Sequence, residues 1–261
     1  MIRVPMKSSG AVNKQTVMTI NNIKIQSPRS FRDIGTLNSA KADVTPSTDS
    51  NNVRTAAVNS VPASPTPSNN GFIAKPIPPL HKQIQKGQKV AIETQAKLTK
   101  IQAKLGWNIT NPNCDVDVSA FLLNNTGKVI GDSWFVFYGQ ESSPDGSTVF
   151  STVQDQDREI ISVDFTKLNP NVSRIVFVLT INEALEKHLN FSMLKDAYIR
   201  IMDACNVELV SFKMEEYYAN VTSMMIGEIY QHNGIWKFNA IGNGVARDLA
   251  GLCELYGVQV V

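Results

Sequence analysis

The sequence is short of cysteine, of long apolar runs and of a recognisable export signal. Its three cysteines, Cys114, Cys205 and Cys253, are far apart, and no pair has zinc-ligand or redox spacing. We therefore expect reduced thiols in a reducing compartment, which favours a cytoplasmic location. No apolar run reaches the ~18 residues that a membrane-spanning helix requires. The first residues, Met1 to Lys7, lack the apolar stretch of a signal peptide.

Motifs for catalysis are also lacking. The three histidines, His81, His188 and His232, accompany no Ser, Cys or acidic motif that would form a nucleophilic or acid–base set. The chain contains no G-x-S-x-G elbow, phosphate-binding loop, His-x-x-x-His or Cys-x-x-Cys pattern. These absences exclude no reaction by themselves, but they favour a binding protein over an enzyme.

Residues 1–80 differ in composition from the rest of the chain. They hold nine of the twelve prolines, and nine lysines or arginines against three acidic residues. Few large apolar residues lie within 38–60, so this basic, Pro/Ser-rich arm is expected to be extended and mostly irregular. Residues 16–26 are rich in β-forming residues around a central Asn21-Asn22. That pattern favours either a β-hairpin or a transient strand.

The charge of the arm bears on what it could contact. The rest of the chain carries sixteen basic and twenty acidic residues, so the arm could dock on its own body or on a neighbouring copy. We therefore expect protein partners or a homo-oligomer through residues 1–80. Nucleic acid is not favoured, because Phe31 and Phe72 are the only aromatic residues of the arm. A groove for single-stranded nucleic acid interleaves several aromatics with its charges.

From Lys82 onward, short β-type runs alternate with turn residues. This pattern predicts a mainly β fold, a β-sandwich. The predicted strands cover 90–92, 116–123, 134–138, 160–165, 174–181, 197–201, 208–214, 224–231 and 235–240. The last two flank a tight turn at His232-Asn233-Gly234. We also predict a short helix over 182–189 and a C-terminal helix over 247–256 that stops at Gly257.

A series of motifs over residues 81–261 resembles the TerD (tellurium-resistance) family. In chain order, the motifs are Lys86-Gly87-Gln88-Lys89-Val90, Leu105-Gly106-Trp107, Asp115-Val116-Asp117-Val118-Ser119-Ala120-Phe121-Leu122-Leu123, Phe135-Val136-Phe137-Tyr138, Ser143-Pro144-Asp145-Gly146-Ser147, Gly227-Glu228-Ile229-Tyr230, Trp236-Lys237-Phe238 and Tyr256-Gly257-Val258. Any one of these motifs is weak, but so many in the same order are hard to obtain by chance. The arm has no counterpart in the single-domain members, which divides the chain into an arm, 1–80, and a TerD-like domain, 81–261.

The resemblance implies a β-sandwich that binds calcium through acidic loops and belongs to bacterial stress systems, including tellurite resistance. It implies no catalytic activity. The sequence departs from the family in the long acidic loop, which is shortened here to 154–159 and includes Arg158. Asn108 and Trp134 also stand where the family usually has acidic residues. We therefore expect a single weakened calcium site or a degenerate one.

The candidate metal ligands are acidic residues at and after the start of the 116–123 strand. Asp115 and Asp117 are two residues apart, so both carboxylates project from one face of a strand. Beside a second acidic segment they could supply the oxygen ligands of a calcium ion, or they could form only a solvated strand face. The other candidates are Asp132, Asp155, Asp157 and Glu159.

Two functions stay open on the sequence alone. The first is a non-enzymatic, calcium-binding stress-response module of the TerD type. The second is a structural subunit of a large assembly, such as a virion, in which the arm ties copies together. In that case the chain would be a virion component rather than a cytoplasmic protein.

Overall fold

The computed structural model describes residues 74–92, 98–153 and 155–259. The arm before residue 74 lies outside this range, as does the hairpin predicted over 16–26, so the role of the arm stays a prediction. The described residues form eleven strands in two antiparallel sheets, with one α-helix near the C-terminus. The predicted mainly β fold is confirmed.

Six strands form the first sheet, and neighbouring strands run antiparallel. In the order in which they lie side by side, they are β1 (Lys89–Ala91), β11 (Ile235–Val245), β10 (Ser223–His232), β7 (Arg174–Ile181), β3 (Val116–Leu123) and β4 (Phe135–Val136).

Five strands form the second sheet, which is also antiparallel. They are β5 (Thr148–Thr152), β6 (Glu159–Asp164), β2 (Lys100–Ile109), β8 (Leu194–Asp203) and β9 (Glu208–Lys213). Two short 3₁₀ helices, Asp132–Trp134 and Phe191–Met193, lie in the connections.

Alternation along each strand decides which side chains fill the space between the sheets. Val118 and Ala120 of β3 belong to the large apolar core, together with Leu105 of β2. Phe121 and Leu123 point the opposite way and belong to a second apolar cluster. The middle of the six-stranded sheet is therefore buried on both faces, and we call the face turned away from the five-stranded sheet its outer face.

The helix α1 (Leu249–Tyr256) covers part of this outer face. Leu252 and Cys253 are fully buried in the second cluster. Asp248 caps the helix, because its side chain accepts a hydrogen bond from the backbone of the first turn. Gly257 ends it in the left-handed conformation, with φ of 82°. The predicted C-terminal helix and its stop are confirmed.

The short helix predicted over 182–189 is wrong, because this segment forms turns instead. Glu183 and His188 have positive φ, at 51° and 53°, which a right-handed helix does not allow. The Asn182 N–H donates to the backbone oxygen of Asp115 at 2.8 Å, so tertiary pairing extends the sheet through the predicted cap. One bond of helical type forms, from the Lys187 N–H to the Glu183 oxygen at 3.0 Å.

The turn between β10 and β11 agrees with the prediction. His232 pairs with Ile235, so Asn233 and Gly234 form a two-residue loop. Both have positive φ, at 53° and 76°. This is the type I′ geometry whose twist matches that of the strands, and Asn-Gly is the dipeptide that adopts it most readily.

The chain enters the domain along the five-stranded sheet. The Lys75 N–H donates to Asn108 Oδ1 of β2, and Asn108 Nδ2 donates back to the Lys75 oxygen, both at 3.0 Å. Further on, the Lys82 N–H donates to Glu208 Oε1 at 2.7 Å, and the Ser211 N–H donates to the Lys82 oxygen at 3.0 Å. Residues 82–84 thereby cover the edge of β9.

A chain that begins at Leu80 is expected to fold cooperatively, because every strand within the described residues begins after it. Thermal unfolding followed by circular dichroism tests this expectation. A matched chain that begins at Gly87 loses the strip over β9 and leaves Glu208 without its Lys82 partner, so it should melt at a lower temperature. If the Leu80 chain aggregates, the removed residues supply part of the core.

Candidate functional site

The pairing of β3 with β7 sets polar groups opposite each other on the outer face. Asp117 lies directly across from Thr180 in the antiparallel register. Ser119 and Asn182 are two residues further along their chains and share that face. Most of the outer face nearby is apolar, with Phe121 of the second cluster following on the same strand face. The four polar side chains are therefore an interruption of an apolar surface.

These side chains line a cavity of about 30 Å³ between the sheet and the first turn of α1. We call it the outer cavity. A water molecule or a single ion needs roughly 10–15 Å³ of such space, so the outer cavity can hold one. The polar residues that line it are Asp117, Ser119, Tyr138, Thr180, Asn182, Glu183 and Asp248.

Several oxygens of the outer cavity have no hydrogen-bond partner among the described residues. They are Ser119 Oγ, Thr180 Oγ1 and Asn182 Oδ1. The three residues are only 2%, 6% and 6% exposed, so bulk water cannot satisfy them. An unsatisfied buried polar group costs about 1–3 kcal/mol. Three of them around one small space indicate that a ligand, an ion or an ordered water belongs there.

Carboxylates concentrate around Tyr138, at the margin of the outer cavity. Burial raises the pKa of Tyr138, and the charges of Asp115 and Glu159 raise it further. Burial and then Asp115 also raise the pKa of Cys114 to about 12. Asp115 Oδ2 is buried and has no hydrogen-bond partner among the residues described. The predicted pair Asp115 and Asp117 thus lies at one place, with Asp117 inside the outer cavity.

Asp157 lies elsewhere, on the far side of the five-stranded sheet, in a buried ion pair. Arg200 Nη2 donates to Asp157 Oδ2 at 2.5 Å, and Arg200 Nε donates to Oδ1 at 3.0 Å. The Tyr198 hydroxyl also donates to Oδ1, at 2.9 Å. Both carboxylate oxygens are therefore occupied by protein donors, which gives Asp157 a structural role.

Glu159 connects the two sheets. It lies at the start of β6 in the five-stranded sheet, yet its Oε2 accepts a hydrogen bond from the Val118 N–H of β3 at 2.7 Å. β4 pairs only with Ala120 and Phe121, so it does not cover this N–H group. The carboxylate thereby satisfies a backbone donor that the short β4 leaves open.

The last two predicted ligands are bound to backbone groups away from the outer cavity. Asp132 Oδ1 accepts from the Gln259 N–H at 2.8 Å and so anchors the C-terminal tail. Asp155 is exposed, and its Oδ1 accepts from the Asp157 N–H at 3.0 Å. The six predicted residues do not converge on one point. Within 74–92, 98–153 and 155–259, no group of three or more His, Cys, Asp or Glu side chains is arranged to hold a metal ion.

The neutral members of the site are absent from the residues that the sequence predicts as ligands. Ser119, Thr180 and Asn182 supply most of the unpartnered oxygens, and Asp248 lines the cavity from the helix side. One sequence signal was available, since Ser119 and Thr180 interrupt long apolar strands. Polar residues in such runs are expected to be paired or to contact a ligand.

A larger groove of about 350 Å³ lies beside the start of β2. Several of its polar side chains already have partners in the protein. Lys100 Nζ lies 3.4 Å from Asp164 Oδ2, and the nearby Lys104 Nζ donates to Asn206 Oδ1 at 2.9 Å. We therefore place the candidate site in the outer cavity rather than in this groove.

Among the helices formed by the described residues, none has the length and apolar character needed to cross a membrane.

Comparisons with known proteins agree with the geometry of the fold. A family model described as "TerD domain" matches residues 80–256. The chain is 35% identical over 186 residues to the tellurium resistance protein TerD of Serratia marcescens, covering 67% of this chain and 97% of that protein. It is 36% identical over 189 residues to general stress protein 16U of Bacillus subtilis strain 168, covering 68% and 97%.

One further relative and one solved structure are also similar to this chain. The uncharacterized protein YceE of Bacillus subtilis strain 168 is 36% identical over 190 residues, covering 68% of this chain and 98% of that protein. The crystal structure of SAV2460, a protein of unknown function, superposes with a TM-score of 0.50 at 19% identity. That alignment covers 63% of this chain and 99% of the other, and it bears on the fold alone.

Proposed function

The chain belongs to the TerD family, and on that premise we propose that it is a non-enzymatic stress-response module that binds one calcium ion in the outer cavity. The relatives named for tellurium resistance and general stress support the stress-response part of the proposal. The outer cavity supports the calcium part, because three of its buried oxygens, those of Ser119, Thr180 and Asn182, have no hydrogen-bond partner among the described residues.

The donors of the outer cavity suit a hard cation. Calcium prefers oxygen ligands from carboxylates, amides, carbonyls and water. Asp117 offers a carboxylate, Asn182 an amide oxygen, and Ser119 and Thr180 offer hydroxyl oxygens. Among the described residues that line the cavity, none carries a positive charge that would compete with a metal ion.

The proposed site is reduced in comparison with the one expected from the sequence. Asp115 lies at its margin and could act directly or through a water molecule. Asp132, Asp155, Asp157 and Glu159 bond elsewhere. A site with two facing carboxylates, Asp117 and Asp248, should bind calcium more weakly than a site with several, since affinity depends on ligand charge.

The buried thiols support the non-enzymatic part of the proposal. Burial, followed by neighbouring carboxylates, raises the pKa of both Cys114 and Cys253 to about 12. A nucleophilic cysteine needs a pKa lowered by positive charge, so these two thiols are held in the unreactive form.

Calcium should raise the melting temperature of the protein, because a ligand that binds only the folded state stabilises it. Each kcal/mol by which bound calcium stabilises the folded state corresponds to a rise in melting temperature of about 2–4 °C for a domain of this size. The substitution Asp117→Asn, alone or with Asp115→Asn, should abolish the rise, since it removes the central charge and keeps the shape. Differential scanning calorimetry with millimolar calcium or excess chelator measures the shift.

Asp155→Asn is the matched control, because Asp155 is exposed and is not among the residues that line the outer cavity. This variant should respond to calcium like the unsubstituted protein. If millimolar calcium leaves the melting temperature unchanged, or if Asp117→Asn retains the full rise, the proposed site is wrong.

A further inference from the structure

Helix α1 is held on the sheet mainly by apolar contact. Leu249, Leu252 and Cys253 are buried in the second cluster together with Phe121 and Val178 of the outer face. The helix has only eight residues, and an isolated helix of that length is unstable in water. Its structure therefore depends on staying docked.

Polar bonds secure the C-terminal end of the helix. The Val129 N–H donates to the Tyr256 oxygen at 2.9 Å, and Lys128 Nζ donates to the Leu255 oxygen at 2.7 Å. Gln259, just after the helix, donates its N–H to Asp132 at 2.8 Å. Three hydrogen bonds therefore hold this end of the helix and the residues after it to the protein.

The N-terminal end is bound differently. Before the helix starts, the Arg247 oxygen accepts hydrogen bonds from the hydroxyls of Thr222 and Ser223, at 2.7 and 2.6 Å. The first turn then faces the outer cavity through Asp248 and Leu249. Asp248 uses Oδ1 for its own cap, accepting from the Gly251 N–H at 2.8 Å.

Carboxyl groups from the helix and from the sheet meet at the outer cavity. Asp248 at the start of the helix and Asp117 on β3 both line the cavity, so one carboxyl group lies on each side of it. Glu183 also lines it, although Lys187 pairs with that carboxylate at 2.5 Å. A cation between Asp117 and Asp248 would attract both carboxylates and so draw the first turn toward the sheet.

We infer that the cation in the outer cavity fastens the first turn of α1 to β3 and β7, so that docking of residues 249–256 depends on the cation. This inference rests on the proposed calcium site and adds a consequence to it. Besides Asp117 and Asp248, the groups joined across the cavity are the unpartnered oxygens of Ser119, Thr180 and Asn182.

The native cysteines provide the test without any added label. Cys253 lies in α1 and is fully buried, Cys114 is buried in the large core, and Cys205 is exposed. The full-length protein is alkylated with iodoacetamide in millimolar calcium and in excess chelator, and mass spectrometry follows each cysteine separately. Removal of calcium should speed the alkylation of Cys253 by about fivefold or more, the lower end of typical coupling between two linked equilibria.

Cys114 should stay slow and Cys205 fast in both conditions, which separates release of the helix from global unfolding. Asp248→Asn is the matched variant, since asparagine still caps the helix but carries no charge. In this variant the alkylation rate of Cys253 in chelator, divided by its rate in calcium, should fall toward one. If Cys114 and Cys253 gain reactivity together, the whole domain opens and the inference is wrong.

Titration calorimetry with calcium on the same samples measures calcium binding separately from docking of the helix. Calcium binding with an unchanged Cys253 rate would overturn the helix inference and leave the proposed function intact. An absence of binding, with no change in Cys253, would mean that the outer cavity holds only water. That result would overturn both.

Discussion

Replacing Arg200 by methionine is expected to lower the free energy of unfolding by about 3–5 kcal/mol. The side chain of Asp157 is fully buried, and Arg200 bonds both of its carboxylate oxygens. Methionine keeps much of the apolar stem of arginine but leaves the carboxylate without its counter-charge. Urea unfolding at neutral pH, analysed by linear extrapolation, measures the loss.

Two comparisons show whether the buried charge causes this loss. Lys100→Met breaks an ion pair whose lysine is 61% exposed, so it should cost less than about 1 kcal/mol. Adding Asp157→Leu to Arg200→Met removes both charges and should recover most of the stability, because an apolar replacement of a buried pair is often neutral. A loss below 1 kcal/mol for Arg200→Met would mean that water reaches the pair.

Glu159→Ala is expected to cost about 1–3 kcal/mol, because it leaves the Val118 N–H without its partner. Glu159 is 6% exposed, so water cannot easily take the place of its carboxylate. The bond is also a direct polar link between the two sheets. Equilibrium unfolding in urea gives the change in free energy.

Glu159→Gln separates the structural role from metal binding. The glutamine oxygen can still accept from Val118, so this variant should keep most of the stability that Glu159→Ala loses. It should also keep the calcium response, since Glu159 is not among the residues that line the outer cavity. If Glu159→Gln abolishes the calcium response, Glu159 is a ligand as the sequence suggested.

The central strands could be predicted from the sequence with their bounds. The predicted segments 116–123 and 174–181 coincide with β3 and β7. Both are mostly apolar runs bounded by turn residues, and the structure explains why their apolar residues are not confined to every second position. One face packs into the large core and the other under α1, so both faces select apolar residues.

β2 was missed, although its residues alternate clearly. Ile101, Ala103 and Leu105 point into the large core. Gly106 weakened the pattern, since glycine is a poor strand former. Tertiary packing requires glycine at this position, because a Cβ at Gly106 would lie 2.4 Å from the hydroxyl oxygen of Tyr198. A residue 92 positions away thus decides the composition of β2, and no local pattern carries that information.

Only part of the candidate site could be predicted from the sequence, because the other part depends on residues that are distant along the chain. The spacing of Asp115 and Asp117 predicted one shared strand face. Asp117 lies in β3 and lines the outer cavity, whereas Asp115 lies just before the strand. Thr180 could join them only through the register of β3 with β7. Asp157 and Glu159 look equally acidic in the sequence. Their partners, Arg200 and Val118, become visible only when the sheets are assembled.

The pairing of β1 with β11 also constrains how the chain can fold during synthesis. Lys89 lies across from Asn239, about 150 residues further along the chain. β1 therefore leaves the ribosome early but has no partner in the six-stranded sheet until the β10–β11 hairpin has emerged. Closing such a long loop is entropically costly, and folds dominated by distant contacts form slowly. β1 has only three residues, so before β11 is available its unpaired edge offers little template for pairing with other chains.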